Sequence, residues 1–331
     1  MPKPLVSVLV PCCNVEKYVG QCLESICAQT LKEIEVICVN DGSRDGTLRI
    51  LKEFAAKDPR IRLVDKPNTG YGDSMNRALE LAAGEYVGIV ESDDFVEPVM
   101  FERLYGEAKE KKLDISRCCY AQYVAGQNFP MTEPSVPKNC VLKPLQHTEV
   151  FFQAPSIWAA IYRRAWLNEC GIRFLPTPGA SFQDTSFTFK AYAEAVRFQM
   201  ITDSLHHYRC DNLSSSIHSK SKVYAVCDEW KEIYSYVERN RDRFEKLLDV
   251  MPHLLFNCYR WNCFRLTEEK RPEFLREWAK EIQEFDQREL IPWNHLSFKD
   301  KKRIWLVRHF PQIAFQFWGK QQANAPTLAR K

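Results

Sequence analysis

Glu91, Asp93 and Asp94 place three carboxylates within four residues, directly after the apolar run 86–90 of the stretch GEYVGIVESDDFVE. Like charges this close repel one another unless something positive sits among them. A short apolar run carrying Val and Ile reads as a strand, and ligands of open α/β sheets bind at the carboxyl ends of the strands. A hard divalent cation with a substrate diphosphate would satisfy both the position and the charge. The competing reading is a solvated acidic turn in which Asp93 or Asp94 caps the next helix.

The elements that must position this cluster alternate along the chain. Residues 5–10 read as a buried strand stopped by Pro11, and Asn14 stands where it can cap a helix over 15–29, with Tyr18, Cys22, Leu23 and Ile26 on one face. A second strand, 34–39, runs into Asn40, Asp41, Gly42 and Ser43, and Ser43 or Asp45 can cap the helix that follows. A strand at 61–64, a glycine-bearing loop at 67–72, and a helix capped by Asp73 or Ser74 lead to the acidic strand end. Pro98 opens another helix, and 115–123 reads as a strand. This alternation predicts a parallel, doubly wound sheet.

Residues 122–155 are proline-rich and looser in pattern. A strand and short helix follow at 156–170, then a helix from about 185 and a last strand at 200–208. Beyond that the pattern is helical, over 223–237, 244–264, 272–285 and 298–317. Two domains are therefore expected, 1–219 α/β and 220–331 helical. The first strand-to-helix turn, PCCNVEKY, has no GxGxxG, and no GxxxxGK[ST] occurs, which excludes a dinucleotide-binding dehydrogenase and a P-loop ATPase.

An apolar content of 45% with 27% charged residues is that of a globular domain, and a net charge of +3 offers no basic excess for nucleic acid. The 13 cysteines fall mostly in apolar segments, none with zinc-ligand spacing, and the neighbours Cys12–Cys13 and Cys118–Cys119 are poorly placed for disulfides. Reduced thiols in a cytoplasmic protein are expected. Residues 1–4 lead into the first strand without the apolar core of a signal peptide, and no apolar run is long enough to span a bilayer.

Four local patterns occur in order: VSVLVPCCNVEKYVGQCLESICAQT, IEVICVNDGSRDGT, NTGYGDSMNRALELAAGEYVGIVESDD and SFQDTSF. Together they resemble the family 2 glycosyltransferases of GT-A fold, the type that builds bacterial surface polysaccharides. The resemblance covers residues 5–217 and leaves the helical tail outside. It implies a mixed, doubly wound GT-A sheet and an inverting transfer from a UDP-sugar to a saccharide or lipid-linked glycan acceptor, assisted by Mg2+ or Mn2+. Such a transfer must stabilise a departing diphosphate and remove a proton from a hydroxyl, tasks suited to a metal and a carboxylate base.

By resemblance, Asp93 stands at the metal-ligating end of an Asp-X-Asp signature whose first place holds Glu91, near the ribose or the metal, with Ser92 between them and Asp94 either supporting these groups from behind or touching the donor sugar. Asp41 matches the residue that reads the base, and a carboxylate there accepts the uracil N3–H. Pro11 borders the same nucleotide pocket, with Asn14 and Glu16 following on its loop. Asn68, Gly70 and Gly72 let a loop approach the ligand, since glycine tolerates close contact. Asn76 reaches out from the next helix.

Asp184 matches the catalytic base, although Gln183 replaces the Glu that usually precedes it. Arg209 suits a diphosphate through its paired donors. His206 or His207 could complete a metal shell, and Trp158 either stacks on a sugar or packs in the core. In the tail, KDKKR followed by Trp305, Phe310, Phe315, Phe317 and Trp318 suits a helix lying peripherally on the inner face of an anionic membrane. A helix covering the catalytic domain or pairing in a homodimer is the other reading.

Two rivals remain. A sugar-phosphate nucleotidyltransferase needs a Gly- and Arg-rich loop after the first strand, which PCCNVEKY lacks. A non-catalytic nucleotide-sugar-binding module is favoured by Glu91 and Gln183 and opposed by Asp93 and Asp184.

Overall fold

The computed structural model describes residues 3–131, 135–212, 215 and 222–316. They form two compact units, divided after Ile217.

In the first unit the strands are β1 (Val6–Cys12), β2 (Ile34–Asp41), β3 (Ile61–Lys66), β4 (Tyr86–Ile89), β5 (Phe95–Val96), β6 (Ile115–Val124), β7 (Gln127–Met131), β8 (Ala160–Arg163) and β9 (Phe198–Arg209). The helices are α1 (Val19–Cys27), α2 (Thr47–Lys57), α3 (Tyr71–Leu81), α4 (Met100–Glu110), α5 (Arg164–Glu169) and α6 (Gln183–Glu194). Among the described residues the strands make one sheet in the order β3-β2-β1-β4-β8-β6-β9-β5, with β7 on β6. β3, β2, β1 and β4 are parallel, whereas β8 runs antiparallel to both β4 and β6. The sheet is therefore mixed, as the resemblance implied: the parallel pattern read from the alternation holds over β1 to β4 and gives way at β8, a short strand reached through the proline-rich segment rather than through a crossover helix.

β1 is buried along its whole length, as a strand covered on both faces must be. It continues through Pro11 instead of stopping there. The carbonyls of Leu5 and Leu9 face β4, so Pro11 presents its missing N–H to that side, beyond the last β1–β4 pair at Leu9 and Ile89. No ladder bond is lost. Strand order reverses between β1 and β4, because β2 lies on one side of β1 and β4 on the other. The crevice at their carboxyl ends is where such sheets bind ligands. Val19, Cys22, Leu23 and Ile26 of α1 are buried against this core. Asn14 does not cap α1, which begins at Val19. It takes a left-handed φ of 55° and its carboxamide accepts from the Arg44 N–H at 2.8 Å, tying the loop after β1 to the loop after β2. Glu16 makes a parallel tie, accepting from the Gly46 N–H at 2.6 Å.

The second unit carries α7 (Ala225–Arg239), α8 (Arg241–Phe244), α9 (Met251–Arg265), α10 (Arg271–Gln287) and α11 (Phe298–His309). The helix expected over 244–264 is broken by a 3-10 turn at Glu245–Asp249, and α9 restarts with Pro252 in its first turn, where a missing N–H costs no bond. The helix expected over 298–317 is interrupted at Phe310, which Pro311 keeps out of helical geometry at a φ of −138°, and the chain turns helical again over 311–316. Phe317 and Trp318 lie outside the described residues. Among the described residues no helix is long and apolar enough to cross a membrane.

Gly88 of β4 faces α4, and a Cβ there would lie 2.6 Å from the Phe101 ring. Gly88→Ala is therefore expected to overpack the sheet–helix contact and lower stability by about 1–3 kcal/mol. Urea unfolding monitored by circular dichroism should show the fall in midpoint.

Candidate active site

The acidic turn after β4 is held by four separate devices. Asp94 is buried and both its oxygens are engaged, one by the Arg209 N–H at 2.7 Å and the other by His206 Nε2 at 2.9 Å. Pairing of β5 with β9 brings them together by setting Val96 opposite His206. Burial disfavours charge on either member of the contact, pushing Asp94 up, with Asp93 adding to the rise, and pulling His206 down. Asp94 thus anchors β9 to the turn, the supporting role of the two that the resemblance offered. Ser92, also buried, hydrogen-bonds the Cys12 thiol at the end of β1.

Arg209 has a task other than the expected grip on a diphosphate. Its Nε donates to the Asp93 carbonyl at 2.7 Å and its Nη2 to Gln21 Oε1 at 2.5 Å. The guanidinium lies about 5 Å from the Tyr18 and Tyr123 ring centres, at 5.0 and 4.9 Å. It fixes the backbone that presents the Asp93 side chain. That side chain accepts from Asn212 Nδ2 at 2.7 Å on Oδ2, leaving Oδ1 open among the described residues.

Glu91 accepts from the Tyr71 hydroxyl at 2.6 Å. Its carboxyl is pushed up to about 8, chiefly by burial; the Tyr71 bond opposes the rise, while Asp93 and Asp184 reinforce it. Asp184 stands in the first turn of α6, after Phe182 turns the chain through a left-handed φ of 65°. Burial raises Asp184 to about 6, against hydrogen bonds from Thr185 and the local backbone. The charge of Asp184 disfavours ionisation of Glu91, Tyr71, Tyr162 and Tyr208, so these groups lie within its electrostatic reach. The three tyrosines were not singled out in the sequence. Tyr71 stood inside the quoted NTGYG segment, and its position next to two glycines was the available signal.

Asp41 ends β2. Its carboxylate receives Lys66 Nζ at 2.5 Å and the Thr69 N–H at 2.9 Å on Oδ1, and the Gly70 N–H at 3.0 Å on Oδ2. Asn68 donates to the Asp41 carbonyl at 2.9 Å. One acceptor position on Oδ2 is left for a ligand N–H. Pro11 is buried at the neighbouring end of β1.

The glycines of the 67–72 loop meet protein backbone where the sequence suggested a ligand. A Cβ on Gly72 would overlap the Leu175 carbonyl oxygen, and one on Gly70, at φ 102°, would lie 2.7 Å from the Thr177 carbonyl oxygen. Asn76 belongs to the same layer rather than to the site lining: its amide donates to the Phe174 carbonyl and accepts the Phe174 N–H, both at 2.9 Å. Gln183 closes the layer, accepting from the Ser181 N–H at 2.5 Å and donating to Thr177 Oγ1 at 2.9 Å and the Gly179 carbonyl at 3.2 Å. A Glu there could not make the last of these bonds.

The expectation of a histidine in a metal shell is not met. His206 is spent on Asp94, and His207 is bound by Asn128 at 2.8 Å and Glu97 at 2.7 Å and stacks on Phe95. Trp158 stacks on His206 and Tyr208 and meets Tyr120 edge-on, so it packs in the core. Among the described residues no group of three potential ligands surrounds a metal position. The open oxygen of Asp93 nonetheless fits a cation that takes one or two carboxylates from protein and the rest from phosphate and water, as Mg2+ does.

The profile described as "Glycosyl transferase family 2" matches residues 7–170. The uncharacterized glycosyltransferase EpsJ of Bacillus subtilis is 34% identical over 212 residues, covering 62% of this chain and 61% of EpsJ. The glycosyltransferase GlyG of Streptococcus pneumoniae is 32% identical over 218 residues, 62% of this chain and 70% of GlyG. The matched region thus spans less than two thirds of EpsJ, and similarly 65% of EpsH of Bacillus subtilis. In fold, residues 1–349 of S. aureus TarS, solved with UDP-GlcNAc, superpose at a TM-score of 0.69 with 20% identity, covering 96% of this chain and 92% of that one.

If Asn76 works on the Phe174 backbone, its loss is a stability effect. Asn76→Ala leaves two backbone groups without their partner and is expected to cost about 1–3 kcal/mol in urea unfolding. Nucleotide-sugar affinity measured by calorimetry on the folded variant should stay within about twofold of wild type.

Proposed function

The chain belongs to glycosyltransferase family 2, and from that membership we propose that it moves a sugar from a UDP-sugar to a hydroxyl of a saccharide or lipid-linked glycan, inverting the anomeric carbon. The observation that carries this reading is Asp184, a carboxyl in the first turn of a helix, shifted by burial to about 6 and near enough to Glu91 for its charge to be felt there. A base of that strength is ionised at neutral pH yet retains proton affinity, as general-base catalysis requires.

The acceptor hydroxyl gives its proton to Asp184 while its oxygen bonds to the anomeric carbon. The bond from that carbon to the diphosphate oxygen breaks, and its electron pair leaves with UDP. Attack from the opposite face turns an α-linked donor into a β-linked product. Asp41 accepts the uracil N3–H on its remaining acceptor position, with Pro11 and Asn68 bordering the base. TarS, a fold neighbour, was solved with UDP-GlcNAc, which supports a uridine donor without naming the sugar used here. Asp93 would hold Mg2+ or Mn2+, which when bound supplies Lewis-acid stabilisation of the departing diphosphate. Arg209 and Asn212 keep Asp93 in place, and Tyr71 keeps Glu91 beside it.

Calorimetry across a panel of UDP-sugars, with Mn2+ and with EDTA, tests donor and metal together. Tight binding of one UDP-sugar is expected, lost in EDTA and in Asp93→Ala. Asp184→Asn should keep that binding while kcat falls by about 10²–10⁴-fold. A chain that binds the nucleotide but never turns over would instead be a binding module.

The pH profile gives a second check. Below its pKa Asp184 is protonated and cannot accept a proton, so kcat/KM should fall about tenfold per pH unit as pH drops below about 6, and level off above it. A profile flat from pH 5 to 8 would remove Asp184 from the role.

A further inference from the structure

We infer that α11 is a docking element for an anionic lipid bilayer, seated through its outward face. This helix is apolar on two sides. Ile304 and Val307 turn inward and are buried in the helical unit, which fixes the orientation of the helix. Among the described residues the opposite side has no such cover. Phe298 is 84% exposed and Trp305, one heptad on and hence on the same face, is 51% exposed. Phe310 and Ile313, just past the end of the helix, are 47% and 56% exposed. Trp305 gathers His309 and Phe310 into a cluster, with ring centres 5.1 and 5.7 Å from its own. Large apolar side chains left in water within one short segment mark an interaction surface.

The charges identify the partner. Five cationic residues and one acid lie between Phe298 and His309. Arg303 is neutralised by Asp300 at 3.2 Å, and Arg308 pairs with Asp286. Lys299, Lys301 and Lys302 make no ion pair among the described residues. Lys302, four residues after Phe298 and three before Trp305, is exposed near the same face of the helix, and lysine stems can lie along such rings while their ammonium groups stay at the polar boundary. Aromatic side chains flanked by unpaired lysines match the headgroup region of an anionic membrane, where tryptophan is at home and each lysine adds attraction. A second copy of the chain fits less well, because a two-fold contact through this face would set the same lysines against each other. The helix is also preformed: Ser297 caps it by accepting from the Asp300 N–H at 3.1 Å, so docking carries no cost of ordering it.

The test is sedimentation of the full chain with phosphatidylcholine vesicles, alone and with about one third phosphatidylglycerol, at low and high salt. Binding to the anionic vesicles is expected to be at least about tenfold tighter than to the neutral ones and to weaken with salt. Combined Lys299→Gln, Lys301→Gln and Lys302→Gln should weaken it roughly a hundredfold, at about fivefold per lysine. Combined Phe298→Ser and Trp305→Ser should also release the chain, although all five changes are at the surface and should leave the circular dichroism and Tm unchanged. Equal binding to both vesicle types, or none to either, overturns the proposal. A lipid-free dimer in sedimentation velocity that dissociates in the Phe298→Ser, Trp305→Ser variant also overturns it, and makes the face a self-interface.

Discussion

The constraint that shapes the first unit is electrostatic: four carboxyl groups converge where β4 ends, in a place largely closed to water. Left alone they would repel and each would favour neutrality. The chain answers with a different partner for each. Asp94 is tied to β9 through the Arg209 N–H and His206, Glu91 to the Tyr71 hydroxyl, and Asp93 to Asn212. Asp184 alone is left to the backbone and Thr185 of its own helix. What remains available among the described residues is what these partners do not use, namely one oxygen each of Asp93 and Glu91 and the carboxyl of Asp184.

That division of labour depends on strand pairing distant in sequence. β5 is two residues long, yet its pairing with β9 carries Asp94 to His206 and Arg209. Arg209 in turn holds the Asp93 carbonyl and Gln21, which follows β1. The turn after β4 is therefore supported from both flanks, and its precision comes from neighbours on other elements. Rigid support of this kind is what a site needs when a displacement of about 1 Å can cost a hundredfold in rate.

Much of this could be read from the chain. The alternation of strands and helices, the acidic turn, Asp41 at the end of β2 and Asp184 at the start of α6 all carry local signals: apolar runs of strand length, a carboxylate at each end, and motifs in a fixed order. What could not be read was which polar groups would be consumed inside the protein. Asn76 and Arg209 look like ligand contacts in sequence because their side chains are suited to that use, but tertiary neighbours claim them first. Gly70 and Gly72 mislead in the same manner, since a close approach needs glycine whether the approaching group is a ligand or another loop. Asn14 was misplaced for a different reason: a left-handed φ and a bond to the Arg44 N–H lie outside any periodic pattern.

The contact between the 67–72 loop and residues 174–179 has a consequence for how specificity could diverge in such a chain. Backbone lies on backbone there, with no side chain to absorb a change of shape; Asn76 ties Phe174 to α3, and Gln183 braces the 177–181 side. An insertion on one side would have no room unless the other retreated. A new acceptor preference built by grafting the 172–181 segment from a relative would therefore have to import the matching glycine loop with it. The two segments, about a hundred residues apart in sequence, act as one part.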